Sequence, residues 1–219
     1  MDLIQALAAE LGKDPRHVEN VVHLLDEGNT IPFIARYRKE LHGAMDDTSL
    51  RTLEERLQYL RGLEDRREAV KKSIDEQGKL TDELAAAIDS AKTLAEVEDL
   101  YRPYKQKRRT RATMAKEKGL EPLAALLFAQ ERDCPRPEEA ARDFVDPEKG
   151  VETVEDALQG ASDIIAEQIS DDAAIRKSLR ALISRQGQLV SRAATEDDSV
   201  YRLYYDFTQS VARLQGHQV

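Results

Sequence analysis

Leu3, Leu7 and Leu11, with Ile4 beside them, recur at i, i+4 and i+8 and predict a first short helix that Gly12 stops. Asp14 is placed to cap a second helix, with Pro15 at its first position, where the missing N–H costs nothing. Val18, Val21, Val22 and Leu25 form its inner face and Gly28 ends it. Pro32 opens a third helix whose apolar side is Phe33, Ile34, Tyr37 and Leu41. Three short helices with tight turns predict a helix-turn-helix-like unit. After the polar break at 43–48, a long helix reaches to about Gln77, striped by Leu50, Leu53, Leu57, Leu60, Leu63, Val70 and Ile74. The heptad fails around Glu64 and Arg67, so the stripe predicts bundle packing rather than a coiled coil.

Gly78 breaks that helix, Thr81 to Ala91 reads as another, and Thr93 with Glu96 has the spacing of a capping box for a helix ending near Tyr101. Helices are predicted over 120–131 and 137–145, separated by the Cys-Pro-Arg-Pro loop at 134–137, then over 153–169 and 170–186. The last carries Ile175, Leu179, Leu182 and Ile183 on one face and stops at Gly187. Only 187–192 suggests a short strand; no hairpin signal, βαβ pattern or internal repeat is visible. Tyr201, Tyr204 and Tyr205 form an i, i+3, i+4 group with Phe207 just after, and such a cluster needs something to pack against.

Composition narrows the class. Aromatic residues are 5% of the 219 and Trp is absent, so the core must come from Leu, Val, Ile and Ala, which suit helix-on-helix packing and an all-α fold. No stretch approaches the roughly 18 to 20 apolar residues of a membrane span. The start lacks a secretory pattern, and the single Cys134 has no disulfide partner, which predicts a cytoplasmic protein. The net charge of −9 argues at first against nucleic acid. It divides unevenly, however: residues 1–100 carry −8, residues 101–120 carry +7 and residues 121–219 carry −8. A positive island stands between two acidic arms.

Within the island, five of the seven residues from Lys105 to Arg111 are basic and none is acidic, while Pro103 keeps its start from being a helix interior. Arg102, Lys105, Lys107, Arg108, Arg109 and Arg111 suit a phosphate-facing loop, with Tyr101 and Tyr104 available to stack on bases. Equally, the acidic arms supply partners for the same cations within the chain. Arg36, Arg38 and Lys39 on the third helix form a weaker basic group, either groove-reading or a solvated face. Glu19 and His23 at i, i+4, with His17 nearby, lack a third ligand at a recognisable spacing, so no metal and no cofactor are expected. No nucleophile motif, phosphate loop or dinucleotide fingerprint is present, so the sequence gives no support for an enzyme.

The stretch Thr30-Ile-Pro-Phe-Ile-Ala-Arg-Tyr-Arg-Lys-Glu40, the segment Leu100-Tyr-Arg-Pro-Tyr-Lys-Gln-Lys-Arg-Arg-Thr-Arg-Ala112, its sequel Lys118-Gly-Leu-Glu-Pro-Leu123, and Ala161-Ser-Asp-Ile-Ile-Ala-Glu167 resemble the N-terminal region of the Tex-like family of bacterial transcription accessory proteins. The motifs fall in order over nearly the whole chain. The resemblance implies the helical front of a modular protein related to a eukaryotic elongation factor. Such proteins continue into an RNase-H-like domain without an evident catalytic set, helix-hairpin-helix elements and a C-terminal OB-fold to which the principal RNA affinity is attributed. The run Tyr204-Tyr-Asp-Phe207 resembles the passage to the next domain, although Thr208 to Leu214 replaces the family's usual proline-bearing segment.

Together these readings predict an all-α, multi-helix scaffold in three parts. A short-helix unit spans 1–45, a helical bundle with a basic loop at 101–118 spans 46–195, and the start of a following region spans 196–219. The expected function is non-enzymatic: assisting sequence-independent nucleic-acid binding, with RNA favoured and DNA admitted. The alternative is a protein–protein interaction module of the transcription machinery. The chain's ending at Gly-His-Gln-Val without a cap predicts the front portion of a longer protein, whose absent C-terminal domains are further partners.

Overall fold

Carboxylate and hydroxyl caps set the helix starts in the computed structural model, which describes residues 2–132, 134–195 and 197–218. The chain folds as two units, residues 1–97 and 98–219. It is predominantly helical, as expected, with eleven α-helices and one two-stranded sheet among the described residues. The expected boundary at Glu196 and the terminal Val219 lie outside the described residues.

In the first unit, α1 (Leu3–Leu11), α2 (Pro15–Asp26) and α3 (Ile31–Tyr37) precede the long α4 (Asp47–Asp75). Asp2 accepts from the backbone N–H of Ile4 and Gln5, Asp14 from Arg16 and Asp46 from Ser49 at 2.7 Å. The long helix packs against each of the three short ones, so the contacts place it with them rather than in the bundle that follows residue 45. The reason is its leucine stripe. Leu50, Leu53, Leu57, Leu60, Leu63, Val70 and Ile74 are all buried and supply the apolar surface that three helices of seven to twelve residues need. On α2, Leu24 is fully covered where Leu25 was expected, and α3 stops at Tyr37, which is 56% exposed, instead of continuing to Leu41.

Arg67, where the heptad fails, sits on the buried stripe at 3% exposure. Its guanidinium is held by Glu64 at 2.6 Å and by the carbonyl of Ala91 at 2.5 Å, the residue after α5 (Asp82–Ser90). A buried cation with these partners stands where a coiled coil requires an apolar knob.

The helix α6 (Leu94–Tyr101) crosses from the first unit into the second. Thr93 accepts from the N–H of Glu96, and the Glu96 carboxylate accepts from Lys92, so the expected capping box forms with one bond displaced by a residue.

The second unit is built around α10 (Val154–Asp171), opened by a complete capping box between Thr153 and Asp156. On it pack α7 (Arg111–Glu117), α8 (Glu121–Ala129) and α9 (Pro137–Arg142). The core they enclose is rich in small residues: Ala112, Ala115, Ala124, Ala140, Ala141, Ala157 and Ala161 join Leu120, Leu123, Val151 and Ile164. Side chains this short let the helix axes approach closely. A β-carbon added at Gly160 would lie 2.3 Å from the Leu120 Cδ1 atom and 3.3 Å from the Ala115 β-carbon.

The chain leaves α10 at Asp172, whose carboxylate accepts from the N–H of Ile175 at 2.7 Å and caps α11 (Ala173–Gln186). No residue of α11 is buried, and the expected apolar face is open, with Leu179 at 49% and Ile183 at 56% exposure. Besides its contacts with α10 and the turn Val211–Arg213, α11 is tied down by ion pairs. Arg176 and Arg180 each reach Asp99 of α6 at 2.6 Å, and the Asp99 side chain is only 5% exposed.

The expected strand at 187–192 is present as β1 (Gln188–Arg192). It pairs antiparallel with a second strand that the sequence pattern does not announce, β2 (Asp206–Ser210), in the register Gln188 with Ser210 and Arg192 with Asp206. The aromatic group therefore does not share a helical face. Tyr204 and Phe207 pack with ring centroids 5.3 Å apart, Tyr205 donates its hydroxyl proton to Ser199 at 2.8 Å, and Tyr201 remains exposed.

Two consequences are measurable. Gly160→Val is expected to lower the stability of the second unit by about 1–3 kcal/mol in urea unfolding, even though Val is the better helix former. An unchanged midpoint would mean that Leu120 swings aside at no cost. Burial raises the Asp99 carboxyl, but the hydrogen bonds from Arg176 and Arg180 outweigh it and hold the group below the ordinary carboxylate value. A depressed folded value stabilises fully above the unfolded one and fades as pH falls through the folded one. Asp99→Asn is therefore expected to cost about 2 kcal/mol at neutral pH, from breaking the nearly buried pair. Its melting curve should begin to approach that of the parent chain as pH falls below about 4, where the unfolded carboxyl protonates, and meet it only below the depressed folded value. A gap that persisted through the acid range would assign the loss to something other than the charge.

Candidate nucleic-acid interface

The basic segment begins where α6 ends. Pro103 cannot continue the helix, and Arg102–Tyr104 tightens into a 3₁₀ turn. Residues 105–110 follow without regular structure, and the Thr110 hydroxyl accepts from the N–H of Thr113 at 3.0 Å to start α7. The expected loop over 101–118 is thus a turn, a short irregular stretch and a helix. Its helical part buries Ala112 and Ala115 in the core and leaves Arg111, Lys116 and Lys118 on the surface.

The structure brings carboxylates to four of the six predicted residues. Arg102 donates to Asp171 at 3.0 Å through Nε. Lys105 reaches Glu98 at 2.9 Å and lies 5.7 Å from the centre of the Tyr101 ring. Lys107 contacts Asp171 and also Glu167 at 3.3 Å, and Arg109 reaches Glu117 at 2.6 Å. Among the described residues, Arg108 and Arg111 have no carboxylate partner, and both are exposed. Tyr101 and Tyr104 are only partly exposed.

Glu167 and Asp171 are site residues that sequence reasoning did not reach. They lie one turn apart near the C-terminal end of α10, on the same face. Acidic residues are so frequent in this chain that nothing in the local pattern singles these two out; only the packing of α7 on α10 brings them beside the island.

The second basic group lies in the first unit. Because α3 ends at Tyr37, only Arg36 of the three stands on the helix, Arg38 is its C-cap and Lys39 lies beyond it, which corrects the placement of all three on the third helix. Arg38 sits 5.3 Å from the Phe33 ring centre and donates to the Tyr37 carbonyl at 3.2 Å. Arg36 lies 6.0 Å from the Tyr37 ring, and Lys39 is exposed. The two histidines of α2 have partners: His17 Nδ1 contacts the Leu41 carbonyl at 3.0 Å, and His23 pairs with Glu27 at 3.2 Å. Among the described residues no helix is long and apolar enough to cross a membrane.

Residues 1–75 match the family model described as the Tex-like protein N-terminal domain, and residues 133–219 match that of the Tex central region-like domain. The chain is 44% identical to protein tex of Bordetella pertussis, over 99% of this chain and 28% of the relative. It is 42% identical to the transcriptional accessory protein Tex of Neisseria gonorrhoeae, over 100% and 29% respectively. A human relative named S1 RNA-binding domain-containing protein 1 is 29% identical over 100% of this chain and 22% of its own length. The chain therefore spans less than a third of the length of these relatives. With two Tex models matched in chain order and relatives that carry the name aligned from end to end of it, this chain belongs to the Tex-like protein family.

Proposed function

We propose that this chain is a non-enzymatic helical scaffold of a Tex-like transcription accessory protein and that it assists sequence-independent binding of nucleic acid, RNA in the first place. The observation that carries the reading is the pair Arg108 and Arg111, exposed and without carboxylate partners among the described residues in a chain that is acidic overall. Around them stand Lys105 and Arg109, paired with exposed carboxylates, and Arg102 and Lys107, paired with more sheltered ones. Exposed ion pairs contribute only about 0 to 1 kcal/mol each, so a polyanion can exchange for them. Guanidinium groups hold phosphate oxygens through paired donors without reading sequence. Arg36, Arg38 and Lys39 form a weaker second set, and the α2–α3 pair is its helix-turn-helix-like support. The name of the human relative supports RNA as the partner class, and the absence of a membrane-length helix among the described residues fits a cytoplasmic setting.

The rival reading, a protein–protein interaction module of the transcription machinery, has one observation in its favour. Leu179, Leu182 and Ile183 stand open on α11, an apolar face of a kind that proteins cover with partners or with other domains of the same chain.

Binding of a fluorescent single-stranded RNA, followed by anisotropy over a salt series, separates the two. Replacing Lys107, Arg108, Arg109 and Arg111 together by Gln is expected to weaken binding at least tenfold near 50 mM salt. The slope of log K against log salt should flatten by up to about 2.8, which is roughly 0.7 for each single-strand phosphate that is no longer neutralised. Unchanged affinity in a variant that melts like its parent would remove the island from the function and leave the interaction module as the better account.

A further inference from the structure

The ionic contacts of the island are not distributed evenly, and the unevenness has a functional reading that rests on the nucleic-acid proposal above. Two of its cations converge on one place. Arg102 and Lys107 both reach Asp171, and Lys107 also reaches Glu167, while Arg108 and Arg111 between them reach no carboxylate among the described residues. The acceptors are sheltered: the Asp171 side chain is 15% exposed and that of Glu167 is 24% exposed. Like charges four residues apart on a helix repel each other, and the C-terminal end of a helix further disfavours negative charge. Glu167 and Asp171 suffer both effects, so cations brought beside them relieve a repulsion that the helix would otherwise carry.

Two carboxylates about one helical turn apart also present oxygens to Arg102 and Lys107 much as phosphate groups would. A groove of about 460 Å³ lies at this point, lined by Lys105, Lys107 and Lys116 together with Glu167, Asp171 and Asp172.

We infer that Glu167 and Asp171 act as a built-in competitor for the phosphate backbone, holding Arg102 and Lys107 in reserve so that nucleic acid is met first by Arg108 and Arg111 and gains the other two cations only by displacing the carboxylates. The contact lowers apparent affinity, because part of each binding event goes into breaking it. It also favours long polyanions over single phosphates, since only a ligand already anchored on Arg108 and Arg111 presents phosphate to the reserved pair at high local concentration.

The test uses the 219-residue chain and the same labelled single-stranded RNA. Glu167→Gln with Asp171→Asn is expected to bind about tenfold tighter than the parent near 50 mM salt, a gain in line with freeing two cations from three modest ion pairs. The salt slope should steepen by about 1.4, because two further cations meet phosphate. In a chain that already carries Arg102→Ala and Lys107→Ala, the same carboxylate replacements should give no gain, which a general shift in net charge would not reproduce. Glu167→Gln alone, which touches only Lys107, should give part of the effect and serves if the double replacement melts early. Carboxylate variants equal to the parent in affinity and slope, while neutralising Arg108 and Arg111 still abolishes binding, would overturn the competitor and leave the nucleic-acid reading intact. No RNA binding by the parent or by any carboxylate variant would overturn the nucleic-acid reading itself, and the competitor with it.

Discussion

The close approach of α7 to α10 is the constraint on which the second unit depends. Ala112 and Ala115 on one helix and Gly160 and Ala161 on the other leave no side-chain bulk between them, and Leu120 closes the gap at their end. Dispersion is strong at that separation and falls quickly if the helices part, so the packing fixes position more tightly than larger, adaptable side chains would. Once α7 is fixed, the segment before it has little freedom. Residues 102–110 must run from the end of α6 to Thr110 across the C-terminal turns of α10, and this brings Arg102 and Lys107 beside Glu167 and Asp171. The electrostatics of the basic segment follow from the absence of bulk in a core some distance away.

The first unit reaches order by another route. Its three short helices are too brief to persist alone, and α4 lends them a continuous apolar stripe. Burying Arg67 on that stripe exchanges apolar contact for specificity: the guanidinium has to meet the Ala91 carbonyl, which fixes where the chain runs after α5. Ionic pinning of the same kind recurs at Asp99, where two arginines attach a helix that buries none of its own residues.

Much of this was legible in the sequence, and the parts that were not share a cause. The periodic leucines of α4, the cap at Asp14 and the glycine stop after α1 are local signals, and each lies where the pattern put it. The helix α7 was hidden because its buried face consists of two alanines, which read as neutral beside five basic residues. The strand β2 was hidden because it pairs with β1 across a long connection and because Asp206-Phe-Thr-Gln-Ser210 has a single large apolar residue. The sequence pattern puts Arg36, Arg38 and Lys39 on the third helix because nothing local announces that α3 stops at Tyr37. In the candidate site, the cations were visible as a run of residues, but their partners Glu167 and Asp171 lie some sixty residues further along among many equivalent acids, and only packing selects them.

Net charge is therefore a poor guide to what this chain can hold. The figure of −9 counts every carboxylate as though it acted everywhere, yet at the island the relevant sum is local. Asp171 and Glu167 are within hydrogen-bond or ion-pair reach of the basic segment, and charges on solvated surfaces further than about 10 Å away are screened by salt. A polyanion approaching the segment meets two uncompensated guanidinium groups, two cations engaged with sheltered carboxylates, and two more, Lys105 and Arg109, in exposed pairs. The balance between attraction and competition is set by which carboxylates the fold delivers to that one place. Two chains with identical composition but a different packing of α7 on α10 would present quite different fields, because that packing leaves Arg108 and Arg111 without carboxylate partners among the described residues and pairs Arg102, Lys105, Lys107 and Arg109 within the chain.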